Sequence, residues 1–281
     1  MTALLYGLNA RTSIAAGTGQ NLGTIDLPIM REAPTGYPVI FGSALKGAMR
    51  AKMEKDVNEN VAKWVFGDDA KGGSEYAGAL IVSDARILLL PVRSMTTHFK
   101  LVTCPYVLER FKKDALMVGK KLNWNVPTVG EEEVLVVAGG EDKLYLEEYA
   151  LSVEKKNLDA VIEALAKVMD EGAEEVLKQQ LVIVSDSMFG HLSQFATPVN
   201  AHIKINNANK TVQKGALWYE ESLPPETVLY SVLIANSARD NSGNDRDATK
   251  AQMRALLHGK YLQVGGNETV GMGWCKGVCY E

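Results

Sequence analysis

Residues 17–50 read GTGQNLGTIDLPIMREAPTGYPVIFGSALKGAMR. The stretch begins as a glycine-rich, period-free loop and ends as a helix start, and a structured loop this long inside a compact domain is usually functional. Asp26 is the one charged residue between Thr12 and Met30, flanked by Ile25 and Leu27. A lone carboxylate there can cap a turn, hold a divalent ion beside a scissile phosphate, or orient a ribose 2′-hydroxyl. Its surroundings alone leave these open.

The helix start is Gly42-Ser43-Ala44-Leu45-Lys46-Gly47. Ser43 reads as the N-cap of a helix to about Lys55, with Leu45, Ala48, Met49 and Met53 on one face. That reading puts Lys46 at the third helical position with no acid in the first turn. The positive end of the helix dipole disfavours a lysine there unless an anion is present. Gly42 and Gly47 permit close backbone approach, and Arg50 lies one turn beyond Lys46 on the same face. A phosphate-gripping start and a solvated lysine both fit. The run Gly17-Thr18-Gly19-Gln20-Asn21-Leu22 is not a dinucleotide fingerprint, since Leu22 replaces the third glycine, and no Gly-Lys-Ser/Thr closes a Walker loop.

Working outward, Thr2–Ile14 predicts a first strand, with Leu4, Tyr6 and Leu8 alternating against Leu5, Gly7 and Asn9. A short helix is expected over 57–66, and strand over Ala79–Val92 with a bend at Asp84. Leu158, Val161, Ile162, Leu165, Val168 and Met169 predict an amphipathic helix over 157–169. Two or three strands follow over 198–231 around the turn-rich Asn206-Asn207-Ala208-Asn209. A helix is expected over Asp247–His258, then strands at Tyr261–Val264 and Trp274–Tyr280. The glycine-rich run 265–273 between those strands carries Gly265, Gly266, Gly271 and Gly273. It suits either a hairpin turn or a nest of N–H donors for phosphate. The pattern predicts one α+β domain with an antiparallel sheet, ferredoxin-like or RRM-like, with no internal repeat.

The 281 residues are 46% hydrophobic and 23% charged, with net charge −4. The charge is uneven: residues 131–175 hold fourteen acids and four bases, a net −10 that leaves the remainder at +6. The acidic block reads as a solvated face turned from any polyanion, so the total does not exclude nucleic acid. The segment 197–219 carries His202, Lys204, Lys210 and Lys214 and no acid. Cys104, Cys275 and Cys279 form no disulfide framework and point to a reducing, cytoplasmic setting. Cys275 and Cys279 share one strand face without further metal ligands. The four histidines show no ligand spacing, and no apolar run or leader suggests a membrane partner.

Several of these segments together resemble the repeat-associated mysterious protein (RAMP) superfamily, and within it the backbone subunits of the type III-B CRISPR effector, the Cmr complex. They are Gly17-Thr18-Gly19, Ile25-Asp26-Leu27-Pro28-Ile29-x-Arg31, Pro38 to Gly47, Gly215 to Glu221, Leu223-Pro224-Pro225-Glu226-Thr227, and Gly265-Gly266-x-Glu268-Thr269-x-Gly271-x-Gly273. The likeness spans the chain and is weakest over 109–190, expected to be an acidic helical insertion. The resemblance implies a modified RRM-like fold and copies of the chain stacked along a CRISPR RNA beside other Cmr subunits. It implies metal-dependent cleavage of paired target single-stranded RNA at six-nucleotide intervals, with Asp26 catalytic and Mg2+ the expected ion. Ser43, Lys46, Arg50 and the C-terminal glycines would hold guide phosphates. A thumb at 197–219 would wedge between base pairs, and Glu226 matches a family acid near the cleavage site. Ala15-Ala16 stand where relatives often carry histidine, which shifts the weight to Asp26 and a metal ion. A non-catalytic RNA scaffold, and the equivalent type III-A subunit, are the alternatives.

Overall fold

The computed structural model describes residues 2–19, 23–68, 76–137, 139 and 141–281; Gln20, Asn21 and Leu22 of the first glycine run, and the Lys214 side chain, lie outside the described residues. In chain order, β1 (Thr2–Ala10) and β2 (Val39–Ile40) precede α1 (Gly42–Asp56), α2 (Glu59–Phe66), β3 (Leu80–Val82), β4 (Ala85–Ser94) and β5 (His98–Thr103). Then come α3 (Pro105–Met117), β6 (Glu133–Val136), β7 (Lys143–Leu146), β8 (Tyr149–Lys155), α4 (Asp159–Ala166), α5 (Ala173–Gln180), β9 (Leu181–Ile183) and α6 (Asp186–Phe195). The chain closes with β10 (Val199–Ile205), β11 (Val212–Glu221), β12 (Val228–Ala235), α7 (Arg246–Leu257), β13 (Tyr261–Gln263) and β14 (Trp274–Tyr280). The fold is mixed α+β.

β1 is the axis of the first half. It runs antiparallel to β12, from Thr2↔Ala235 to Asn9↔Val228, and to β14, from Leu5↔Tyr280 to Ala10↔Cys275. β12 in turn pairs antiparallel with β3 and β4. The neighbouring order is therefore β14-β1-β12-β4, with α1 between β1 and β3, and α7 between β12 and β14. Leu5, Tyr6 and Leu8 are fully buried because this strand has partners on both edges and packing on both faces. Leu45, Met49 and Met53, four residues apart along α1, put one apolar face into the same core.

The strand expected over 79–92 divides at Ser83-Asp84 into β3 and β4, as the Asp84 bend predicts. Four other expectations are corrected. β1 stops at Ala10, because Arg11 N–H turns to Trp274 O and Ile14 pairs with Leu223. The helix expected over 157–169 is α4, Asp159–Ala166, because the 165–169 backbone closes in tight turns. α7 is capped by Asp245, whose Oδ1 accepts Ala248 N–H, and not by Asp247. The segment 109–190, expected to be helical, contributes β6, β7, β8 and β9 besides its helices. In β6 and β7 every second residue or more is buried, a strand period hidden by charged neighbours.

These strands extend the sheet in the order β4-β5-β9-β6-β8-β7, and a Ser94↔Leu146 pairing returns β7 to β4. Cys275 and Cys279 lie on the buried face of β14, where burial pushes both thiols up to about 12. They are inert thiols at neutral pH. No described helix is long and apolar enough to cross a membrane. β10 and β11 stand apart as a two-stranded sheet, and β10 is exposed along nearly its whole length.

Candidate functional site

The loop between β1 and β2 folds on itself and fastens to three other parts of the chain. Thr18 N–H donates to Pro28 O at 3.1 Å and Met30 N–H to Ala16 O at 2.8 Å. Leu27 then lies parallel to β11: its N–H donates to Tyr219 O, and Glu221 N–H donates to Leu27 O, each at 3.0 Å. This short ladder sets Asp26 at the base of the β10–β11 hairpin. Asp26 Oδ2 accepts Tyr219 N–H at 2.7 Å, while Oδ1 has no partner among the described residues. One oxygen anchors the side chain and the other remains available to a ligand.

Two acids at the end of β11 build the floor of this region. Glu221, 3% exposed, accepts Ile29 N–H at 3.1 Å through Oε2. Its Oε1 accepts Arg31 at 2.5 Å and the Thr197 hydroxyl at 2.6 Å. Arg31 also donates to the carbonyls of Gly36 and Ser193, so loop, hairpin and α6 share one buried charge network. Glu220, 8% exposed, accepts Asn267 Nδ2 at 2.5 Å. Its Oε2 lies 3.6 Å from His202 Nε2, and the His202 ring stacks on Trp218, centroids 5.4 Å apart at 15°.

The sequence reading named neither Glu220 nor Glu221 as a site residue. Paired acids ending an exposed strand were the signal that could have found them. Glu226 sits elsewhere. Its N–H donates to Ala10 O and its carboxylate lies 3.9 Å from Arg11, with no contact to Asp26 among the described residues.

At the start of α1 the expected cap is corrected. Phe41 is the N-cap, with no side-chain cap bond, and the exposed Ser43 is the second helical residue. Asp84 serves instead, its Oδ1 accepting Gly42 N–H at 2.7 Å. A Cβ on Gly42 would come within 2.7 Å of Val82 O, so glycine lets the helix start close to the β3–β4 break that carries Asp84. Part of the negative charge that the helix dipole favours is thus intramolecular. Lys46 becomes the fifth helical residue. It has no carboxylate partner among the described residues, and partial burial, then the neighbouring Arg50, lower its pKa. Arg50 itself bonds Glu54 at 2.7 Å and Gly67 O at 2.9 Å.

The C-terminal glycine loop meets the other side of the Ala15-Ala16 segment. Gly266 N–H donates to Ala15 O and Gly273 N–H to Ser13 O. Gly265 adopts φ +87°, and a Cβ there would come within 2.6 Å of Ala15 O, which only glycine relieves. Gly271 N–H bonds Glu268 O. Within the run, the N–H groups of Asn267, Glu268 and Thr269 remain without partners among the described residues. The structure therefore brings Asp26, the hairpin base and the glycine loop together, and leaves Lys46 and Arg50 on α1.

A model of the RAMP superfamily matches residues 8–276. The chain belongs to the RAMP superfamily. This RAMP chain is 38% identical over 288 residues to the CRISPR system Cmr endoribonuclease Cmr4 of Pyrococcus furiosus, with 98% of this chain and 95% of that protein aligned. The crystal structure of oligomeric Cmr4 from P. furiosus superposes with a TM-score of 0.78 at 31% identity, covering 100% of this chain and 98% of that one. A chain in the cryo-EM structure of the type III-B Cmr-beta bound to cognate target RNA shares the fold, with a TM-score of 0.78 at 21% identity, covering 100% and 98%.

No group of three or more His, Cys, Asp or Glu that could enclose a metal ion occurs among the described residues of this RAMP chain. Asp26 Oδ1 could supply one oxygen ligand. That fits an ion such as Mg2+, which keeps waters and binds through one or two carboxylates plus substrate phosphates.

Proposed function

We propose that this chain is the multicopy backbone subunit of a type III-B CRISPR ribonucleoprotein in the cytoplasm, binding CRISPR RNA and cutting complementary target RNA at six-nucleotide intervals. The observation that carries the reading is the placement of Asp26. It sits on a loop fixed to the base of a projecting hairpin, with one carboxylate oxygen lacking a partner among the described residues, in a chain 38% identical to a Cmr endoribonuclease. In this reading the β1-α1-β3/β4-β12-α7-β14 unit is a modified RRM-like, ferredoxin-like domain. The segment 109–190 is an insertion into it, and 197–219 is a thumb that parts the guide–target duplex. Copies of the chain form a helical filament with other Cmr subunits, each copy setting one cut.

Each chain contributes positioning and charge. Lys46 and the N–H groups of residues 267–269, which lack carboxylate and carbonyl partners respectively among the described residues, favour phosphate oxygens of the guide. Ser43 and Arg50 are secondary here, since Asp84 takes the helix end and Arg50 is engaged by Glu54. Asp26 Oδ1, with the target phosphate, would hold Mg2+, which when bound supplies Lewis-acid stabilisation of charge on the phosphoryl oxygens. The hairpin base keeps Asp26 fixed while the ribose 2′-oxygen is aligned with its own phosphate. The products expected are a 2′,3′-cyclic phosphate and a free 5′-hydroxyl.

Labelled complementary RNA added to the assembled complex with Mg2+ tests this directly. A product ladder with a regular six-nucleotide step supports the nuclease, and intact bound target contradicts it. Lys46→Glu is expected to weaken guide retention at raised salt and to reduce the slope of log K against log salt by about 1. Unchanged retention would remove Lys46 from the guide site. The non-catalytic scaffold has one observation in its favour: the Asp26–Tyr219 bond alone gives Asp26 a structural role.

A further inference from the structure

The hairpin carries an imidazole that lies outside the hydrophobic core. His202 projects from β10 on the face shared with Trp218 and Glu220, and it is not part of the core. Its ring nonetheless stacks on Trp218, and Glu220 Oε2 lies 3.6 Å from Nε2. Glu220 is itself buried and fixed by Asn267 of the glycine loop. Lys204 lies two residues along β10, where the register shifts, while Glu220 is the charged group in contact with the ring. The preceding residue, Tyr219, donates its N–H to Asp26. Adjacent residues of one strand thus hold the candidate catalytic carboxylate and the carboxylate that faces an imidazole.

We infer that His202 is the general base for target-RNA cleavage, oriented by Glu220 and Asn267. The inference rests on the nuclease reading above. A carboxylate closing on Nε2 would favour the tautomer with hydrogen there, and Nδ1 has no partner among the described residues. The reacting hydroxyl of an RNA chain is the ribose 2′-OH. Nδ1 takes its proton as the 2′-oxygen bonds to phosphorus, the phosphorus–5′-oxygen bond breaks, and solvent water protonates the departing 5′-oxygen. Glu220 remains ionised and stabilises the imidazolium. No oxidant or further reactant is needed. The 3.6 Å separation is in keeping with a catalytic contact that tightens when substrate docks.

The test uses complexes assembled with full-length wild type, His202→Gln or Glu220→Gln, the same guide, and complementary RNA in saturating Mg2+. Single-turnover cutting is followed from about pH 5.5 to 8.5, the range over which an imidazole changes charge. His202→Gln is expected to slow cutting about 10²–10⁴-fold, with guide retention and target affinity unchanged. Glu220→Gln keeps an acceptor for Asn267 but removes the charge that favours imidazolium. Its cutting is therefore expected to slow with guide retention and target affinity unchanged, a split that a merely structural role would not give. Wild-type rate and pH profile in His202→Gln, with Asp26→Ala inactive, overturn the role of His202 and leave the nuclease standing. A slower His202→Gln whose target affinity falls in proportion also overturns it, since the histidine then acts only in binding. No cutting by wild type overturns the nuclease reading and this inference together.

Discussion

Two antiparallel strand pairs in this molecule follow the same ladder rules and meet opposite surroundings. In β1–β12 the side chains are buried on both faces, because β14 pairs the other edge of β1 and helices cover the sheet. In β10–β11 the cross-strand pairs Ile203↔Leu217 and Ile205↔Val212 leave side chains 49–54% exposed. The residue types are alike; the neighbours are not. An exposed apolar ladder is a liability that a fold ordinarily hides. Its retention on a hairpin outside the main sheet fits the contact role proposed for 197–219, whereas β1 serves folding. The two regions meet at the Glu221 network, which ties the hairpin base to the Asp26 loop.

Substitutions along this axis can break the comparison. Leu8→Ala in β1, fully buried, is expected to cost about 2–5 kcal/mol in chemical denaturation. A negligible shift would show that β1 is not the centre of the core. Glu221→Gln removes the charge that Arg31 meets and should cost about 1.5–3 kcal/mol. It should also speed amide hydrogen exchange at Ile29 and Thr197 more than in β1; equal exchange throughout would mean that the network does not join the two regions. Ile203→Ser at the hairpin should change stability by no more than about 0.5 kcal/mol while weakening RNA-dependent assembly. Large unfolding from that change would make the hairpin part of the core.

Much of the fold is legible in the sequence wherever burial follows a local period. Leu45, Met49 and Met53 mark α1, and Leu4, Leu5, Tyr6 and Leu8 mark β1. The site is legible only in part. Asp26 announces itself as an isolated carboxylate, but its anchor is an N–H 193 residues away. Ser43 has the chemistry of an N-cap, yet Phe41 holds that position and Asp84, from the β3–β4 break, accepts the first helical N–H, a choice that tertiary geometry makes. β6 and β7 escape notice because four-residue strands with charged ends carry too little pattern. Glu220 and Glu221 carry no local sign of burial, because the partners that bury them, Ile29, Arg31, Thr197 and Asn267, lie elsewhere in the chain.

Asp26 is proposed to act in chemistry beyond its bond to Tyr219. The most direct test compares wild type and Asp26→Ala in assembled complexes, with target binding and target cutting measured on the same preparation. The account predicts undiminished guide and target binding with no cut product above background. Cutting by the alanine variant at the wild-type rate would contradict it.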